Sequence, residues 1–478
     1  MPPQASDLDH EELLRQQATE ASQRLFALLN ATAASSAHVN AVSILGARAT
    51  RPSFLEAATS RVLESGTLAD VINNSQIVAD ELMRFDIFDD VHVLLDHAAD
   101  SDPLAAPGSI NVLYQVKEKS RMYIKTGTEI GNNEGNVNGS LTLRNVFGGG
   151  EVLDSLASFG TRDSSAFQFS LSSPVNASPN SRVDLNAHHV LRNNMLISSY
   201  EELARGAGLR LKTLSRFGYH ELSYDCTWRS IDKVSDTASL SIRQQAGHSL
   251  KSSINHVFVR DRRDDMLLPS TGHYIRWSQE LAGVFGLGNA RFFKTELETQ
   301  VCHQLGGGQL LKSQEGELLG LHPGLVFSMG FRAGWLAKLN SDPRAATVSD
   351  RFLLGGPLSV RGFRNAGLGP HDHHDALGGD LYWATGVSAM APVPKLESKP
   401  LRAHAFINAG TLVPWKTTTN AQDTMRSLTQ SPSISVGLGL IYRHSIARIE
   451  LNYCIPLTAA RGDHVKRGLQ LGLGLNFL

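Results

Sequence analysis

The residues best placed to do chemistry in this sequence are charged side chains set among glycines and aromatics, and Arg361 is foremost. It lies in RFLLGGPLSVRGFRNAGLGP (351–370), where Val360, Arg361, Gly362 and Phe363 are consecutive in a run with no helical period. Glycines 355, 356, 362, 367 and 369 permit tight turns and positive φ, whereas Phe352 and Phe363 need burial. A glycine-rich loop that carries two phenylalanines reads as an ordered plug rather than a solvated hairpin tip. An arginine inside such a plug requires a partner, because an unpaired buried guanidinium is expensive.

The other chemically suggestive segments are weaker. His371-Asp372-His373-His374-Asp375 has ligand types suited to a transition metal, but in a glycine-rich loop without a supporting scaffold it reads as a polar tip. Asp261-Arg262-Arg263-Asp264-Asp265 reads as an exposed loop of mixed charge. In the run from Gly306 to Ser313, Leu311 stands where a phosphate-binding loop needs the glycine before its lysine. Cys226, Cys302 and Cys454 are far apart and form no metal or redox pair. With no nucleophile–base or paired-carboxylate motif, no enzymatic activity, cofactor or metal is expected. The 45 basic and 46 acidic side chains give a net charge of -1, so there is no electrostatic footprint for nucleic acid.

The elements that must position the loop are strands. Nowhere do ~18 consecutive apolar residues occur, so no transmembrane helix is expected. The amino terminus has neither the charged n-region nor the apolar h-region of a secretory signal. Apolar spacing predicts an amphipathic helix over Asp9 to Leu29, then a small-residue linker to Ala37. From residue 38 to 119 the order strand, helix, helix, strand, strand predicts a small α+β domain, with Pro52 in the first turn of the first helix.

From residue 120 to 478 short alternating segments follow. Leu469, Leu471, Leu473, Leu475 and Phe477 alternate with small or polar residues, and Ile449, Leu451 and Tyr453 alternate with Arg448, Glu450 and Asn452. Lipid outside and water inside account for this dyad pattern. The expected fold is therefore mostly β, a transmembrane antiparallel β-barrel of about sixteen strands after the small α+β domain, its strands close to the length that crosses a bilayer at a tilt. Loop 350–375 would lie in the lumen. Parity puts Asp380 and Asn408 on the lumen face as partners for Arg361, with Glu450 a further candidate.

Val360-Arg361-Gly362-Phe363 resembles the signature of the lumenal loop in the outer-membrane β-barrel assembly and polypeptide-transport superfamily. The α+β segment resembles a polypeptide-transport-associated (POTRA) domain, on Gly46, Phe85 to Val91 and Val116 to Lys119. Beyond residue 37 nearly the whole chain resembles the central barrel subunits of the mitochondrial sorting and assembly machinery. Lys125 to Gly131 and Leu143 to Gly148 look like that family's first hairpin. The family often has an acidic residue where Asn408 stands, and this departure shifts the expected counter-charge to Asp380.

The resemblance implies an insertase of the mitochondrial outer membrane, with the amino-terminal domain in the intermembrane space. A lateral seam would open between a first strand carrying Met122, Tyr123, Ile124, Lys125, Thr126, Gly127 and Thr128 and a last strand carrying Gln470, Gly472, Leu475 and Phe477. The implied partners are β-barrel precursors with a carboxy-terminal sorting signal, peripheral subunits of the complex, a second β-barrel protein and the lipid bilayer. Gln470, Gly472, Leu475 and Phe477 themselves fit that sorting pattern. A polypeptide-translocating channel, a general pore and a barrel enzyme acting on lipid are the competing readings.

Overall fold

A computed structural model describes residues 32–98, 106, 108–131, 134–161, 164–312, 318–340, 346–394, 396, 400–415, 421–444 and 447–474. The helix expected over Asp9 to Leu29, and the seam residues Leu475 and Phe477, lie outside the described residues. The chain divides into two compact units. One is Met1–Tyr123 with Thr142–Leu153 and Ser172–Arg182; the other is Ile124–Leu141, Asp154–Leu171 and Val183–Leu478.

In the first unit, β1 (His38–Leu45), α1 (Pro52–Leu63), α2 (Leu68–Arg84), β2 (Phe88–His97) and β3 (Ser109–Glu118) follow in order. Pro52 opens α1 after an extended Arg51, and Thr67 caps α2 by accepting the Asp70 N–H at 3.2 Å. The sheet order is β1–β3–β2, with β1 parallel and β2 antiparallel to the central strand. Val62, Val78, Leu82, Phe85, Phe88 and Tyr114 fill the core between helices and sheet. Gly46 is required where it stands: its φ is +100°, and a Cβ there would lie 2.0 Å from the Val116 carbonyl oxygen. The later segments join this unit through polar contacts. Arg51 meets Glu151 at 2.8 Å, Asn145 donates to Thr50 at 2.9 Å, and Arg144 reaches Asp86 at 3.1 Å.

The remaining strands build one sixteen-stranded antiparallel sheet. They are β4 (Met122–Gly131), β5 (Glu134–Arg144), β6 (Val152–Gly160), β7 (Ser165–Val175), β8 (Ser178–Asn193), β9 (Tyr200–Leu214), β10 (Tyr219–Val234) and β11 (Gly247–Asp261). Then come β12 (Gly272–Ala282), β13 (Phe292–Lys312), β14 (Leu318–Lys338), β17 (Leu381–Pro392), β18 (Leu401–Val413), β19 (Ser433–Arg443), β20 (Arg448–Thr458) and β21 (Gly468–Gly474). The two-residue strands β15 (His371–Asp372) and β16 (Asp375–Ala376) form a separate hairpin within the long β14–β17 connection. Each strand pairs with its neighbours in chain order, and β4 and β21 are the two ends of the sheet. Among the described residues no ladder joins those ends.

The period-two reading holds along the strands. Leu469 and Leu471 are about two-thirds exposed while Gln470 between them is 2% exposed, and Glu450 and Asn452 are fully buried while Leu451 is exposed. The apolar face is thus turned outward, as a lipid-facing wall requires, and the polar face inward. None of the described helices is long and apolar enough to cross a membrane.

Candidate functional site

Arg361 sits in the long β14–β17 connection with no exposed surface. Its Nε and Nη2 donate to Glu450 Oε2 at 3.0 and 2.9 Å, and Nη1 donates to Asn408 Oδ1 at 3.2 Å. The guanidinium lies 4.8 Å from the centre of the Phe406 ring. Alternation delivers these partners: Phe406 and Asn408 are inward positions two apart on β18, and Glu450 is inward on β20. Arg448 pairs with the other oxygen of Glu450, and Asn452 donates to Oε2 at 2.9 Å.

The counter-charge is therefore Glu450, and the expectation that favoured Asp380 is corrected. Asp380 is buried near Arg351, 3.5 Å away, and accepts the Trp415 N–H at 3.1 Å. Parity identified Asp380 as inward, but it stands just before β17, away from the row where Arg361 arrives.

The backbone of the signature is held as firmly as its side chain. Gln470 of β21 accepts the Gly362 N–H at 2.9 Å and donates to the Phe363 carbonyl at 3.0 Å. Ser435 donates to the Arg361 carbonyl. Gly362 has φ +85°, and a Cβ would lie 2.9 Å from that of Ser435, so this close approach needs glycine. Val360 and Phe363 are fully buried in an apolar cluster with Phe352, Leu368, Tyr382 and Leu412. The β20–β21 connection adds main-chain bonds, Lys466 N–H to Gly362 O at 2.8 Å and Arg364 N–H to His464 O at 3.0 Å. Gln470 was legible as inward-facing. That it reads both a donor and an acceptor of the loop was not.

A second set of anchors fixes the same connection to the opposite wall. Arg229 of β10 donates to both oxygens of Asp350 at 2.7 and 3.2 Å, and Thr347 closes a capping box with Asp350. Burial opposes the charged form of Asp350, but Arg229 and Lys251 outweigh it and hold the carboxyl well below its ordinary range. The histidine–aspartate run is part of this set. Asp375 accepts from Ser199 Oγ at 2.5 Å and the Ser239 N–H at 2.7 Å, and Asp372 accepts from Ser241 Oγ at 2.6 Å. The segment is a bolt for the loop.

The run Asp261 to Asp265 corrects another expectation, since it is not simply solvated. Arg263 packs 4.5 Å from the Tyr274 ring and donates to Asp261 and Gln300, while Asp265 pairs with Arg443 at 2.7 Å. Leu268, three residues on, is buried with Val326, Met390 and Ile441. At the seam, Met122, Tyr123 and Ile124 are more than half exposed, Lys125 to Thr128 are exposed, and Gly472 is buried opposite Glu450.

Comparison with known proteins fits this geometry. Residues 145–477 match the Omp85 superfamily domain. The chain is 37% identical over 450 residues to a SAM50-like protein of Schizosaccharomyces pombe, covering 92% of this chain and 90% of that one. The chain belongs to the Omp85 superfamily, in its sorting and assembly machinery component 50 family. This Omp85 member is also 33% identical over 424 residues to the human sorting and assembly machinery component 50 homolog, covering 87% and 85% of the two chains. Its fold resembles that of BamA from Haemophilus ducreyi lacking POTRA domains 1–3, with a TM-score of 0.70, 16% identity, and 92% and 84% of the two chains covered.

Proposed function

We propose that this chain folds and inserts β-barrel precursors into the mitochondrial outer membrane by strand exchange at the seam between β4 and β21, without an enzymatic step. The observation that carries the reading is the topology: β4 and β21 are the ends of one sheet, and no ladder joins them among the described residues. A strand edge facing hydrocarbon leaves backbone groups unpaired at several kcal/mol each. A client's last strand, recognised by its sorting signal, relieves that cost by pairing with the edge, and later hairpins add behind it. Family membership supports the assignment to a sorting and assembly complex with peripheral subunits and, at times, a second barrel. It also supports the outer-membrane location and an intermembrane-space position for the amino-terminal unit.

An open conduit is the weaker reading, because the Arg361 loop is buried within the sheet and bolted to both walls. The test is disulfide crosslinking in native membranes, with single cysteines along Met122 to Thr128 or at Gln470 and Gly472, against an arrested barrel precursor carrying cysteines in its last strand. Adducts in a two-residue register, abolished when the precursor's sorting residues are changed, support strand exchange. Adducts confined to lumen-facing positions far from the seam overturn it and favour a channel.

A further inference from the structure

The β11–β12 connection, residues 262–271, does not stay on the rim of the sheet. Neighbouring strands are antiparallel in chain order, so connections alternate between the two ends of the sheet. This one leaves from the end opposite the β14–β17 connection that carries Arg361. Its Asp265 pairs with Arg443, the last residue of β19, at 2.7 Å. Asp265 is four residues past the end of β11, a reach of at most about 14 Å, whereas β19 is six strands away, roughly 29 Å along the wall at about 4.8 Å per strand. The connection therefore cuts across the lumen.

Its other contacts are with inward-facing positions. Leu268 is 5% exposed and forms a buried cluster with Val326 of β14, Met390 of β17 and Ile441 of β19. Those three share parity on their strands with Leu336, Tyr382 and Ser435, which face the Arg361 loop and its apolar cluster. Arg402 of β18 donates to the Ser270 hydroxyl at 2.9 Å, and Arg263 donates to Gln300 of β13 at 2.7 Å. Asp264 and Asp265 accept the N–H groups of Leu267, Leu268, Ser270 and Thr271, which fixes the shape of the turn.

We propose that this connection is a second plug, which closes the lumen at the mouth opposite the Arg361 loop and keeps the barrel ion-tight when that loop moves. A polar lumen fills with water and conducts ions unless something occludes it. Here an apolar side chain seated among three strands and an ion pair reaching across six provide the occlusion. The two plugs have different anchors. Glu450, Asn408 and Gln470 hold the Arg361 loop, whereas Val326, Met390, Ile441 and Arg443 hold the connection. None of the second set lies on β4 or β21, so the seam crosslinks can fail while this inference stands, and the reverse.

Two native cysteines report the plugs separately. Cys302 is 4% exposed and donates to Ser328 at 3.4 Å, and Ser328 also accepts from Gln300, the partner of Arg263. Cys454 has no exposed surface and lies beneath the Arg361 loop, its Cβ 3.6 Å from where one on Gly362 would stand. The test uses the full chain in lipid vesicles, a charged methanethiosulfonate reagent, and peptide mass spectrometry to read each thiol. Arg443→Glu, which sets a carboxylate against Asp265, and Leu268→Ser each raise the rate at Cys302 about tenfold and leave Cys454 slow, because labelling of a buried thiol follows the open population. Arg443→Lys keeps both the charge and the protection. In planar bilayers Arg443→Glu and Glu450→Gln each conduct no more than the parent chain, and the double variant conducts severalfold more, as two closures in series require. Heat-modifiable gel migration checks that each variant is folded, with Leu268→Ser carrying the test if Arg443→Glu is not. Unchanged protection of Cys302 in the folded variants, equal gains at Cys302 and Cys454, or a Glu450→Gln chain that alone conducts as well as the double variant overturns the inference.

Discussion

Glu450→Gln is expected to release the Arg361 loop. The glutamine keeps the shape of the site but removes the only carboxylate within reach of Arg361 among the described residues, and Glu450 also serves Arg448. Both buried guanidiniums then lose the carboxylate they share, and breaking a buried pair in this way costs about 3 to 5 kcal/mol. The loss falls on the docked loop before the sheet, because backbone ladders hold the strands independently of it. Limited trypsin digestion of the folded chain in micelles reads it directly, since Arg351 and Arg364 lie in the loop and Arg361 itself is buried. The expected result is rapid cleavage between Arg351 and Arg364 in Glu450→Gln, with slow cleavage in the parent chain and in Asp380→Asn, which touches the Arg351 and Trp415 contacts and not Arg361. The opposite pattern, a resistant Glu450→Gln and a labile Asp380→Asn, would refute the assignment of the counter-charge. Asn408→Asp sharpens the test. It adds a carboxylate 3.2 Å from Arg361 Nη1, balances the two guanidiniums, and stabilises the docked loop against the same protease.

Gln470→Leu leaves the Gly362 N–H and the Phe363 carbonyl unsatisfied, at about 1 to 3 kcal/mol for each, and detaches the loop from β21; disulfide trapping between loop and strand cysteines reports the loosened contact. Gly46→Ala forces a Cβ onto the Val116 carbonyl at positive φ and unfolds the first unit, which proteolysis confined to residues 38–119 detects. The Arg229–Asp350 bolt depends on pH in one direction only. Because the folded pKa of Asp350 is depressed, its contribution is complete above the unfolded carboxylate value of 3.8 and fades as the pH falls below that towards the folded value. Protease accessibility near Val348 should therefore be flat from neutral pH down to about 4 and rise only on further acidification, whereas a rise between pH 7 and 5 would assign the effect elsewhere.

Alternation alone made the strands legible, because side-chain period two is a local property and a lipid-facing wall imposes it on every strand. Thus β20 and β21 could be read with their inward residues, including Glu450 and Gln470. The α+β unit was readable for the same reason, its proline and its apolar spacing being local signals. The loop could be identified as a plug from its own glycines and phenylalanines.

What the sequence could not decide was which inward residue meets which. Arg361 and Glu450 are 89 positions apart, and their meeting depends on how a long connection descends into the sheet and on the stagger between β18, β19 and β20. Parity gives a face and not a height, so Asp380 and Glu450 were equivalent until the register separated them. The same limit hid the bolts at Asp350, Asp372 and Asp375 and the inward β11–β12 connection at Arg402, each built from segments more than a hundred residues apart. Composition and alternation determined that there is a sheet, a lipid side and a plug. The tertiary structure decided the charge pairing, because a buried cation selects its partner by distance in space.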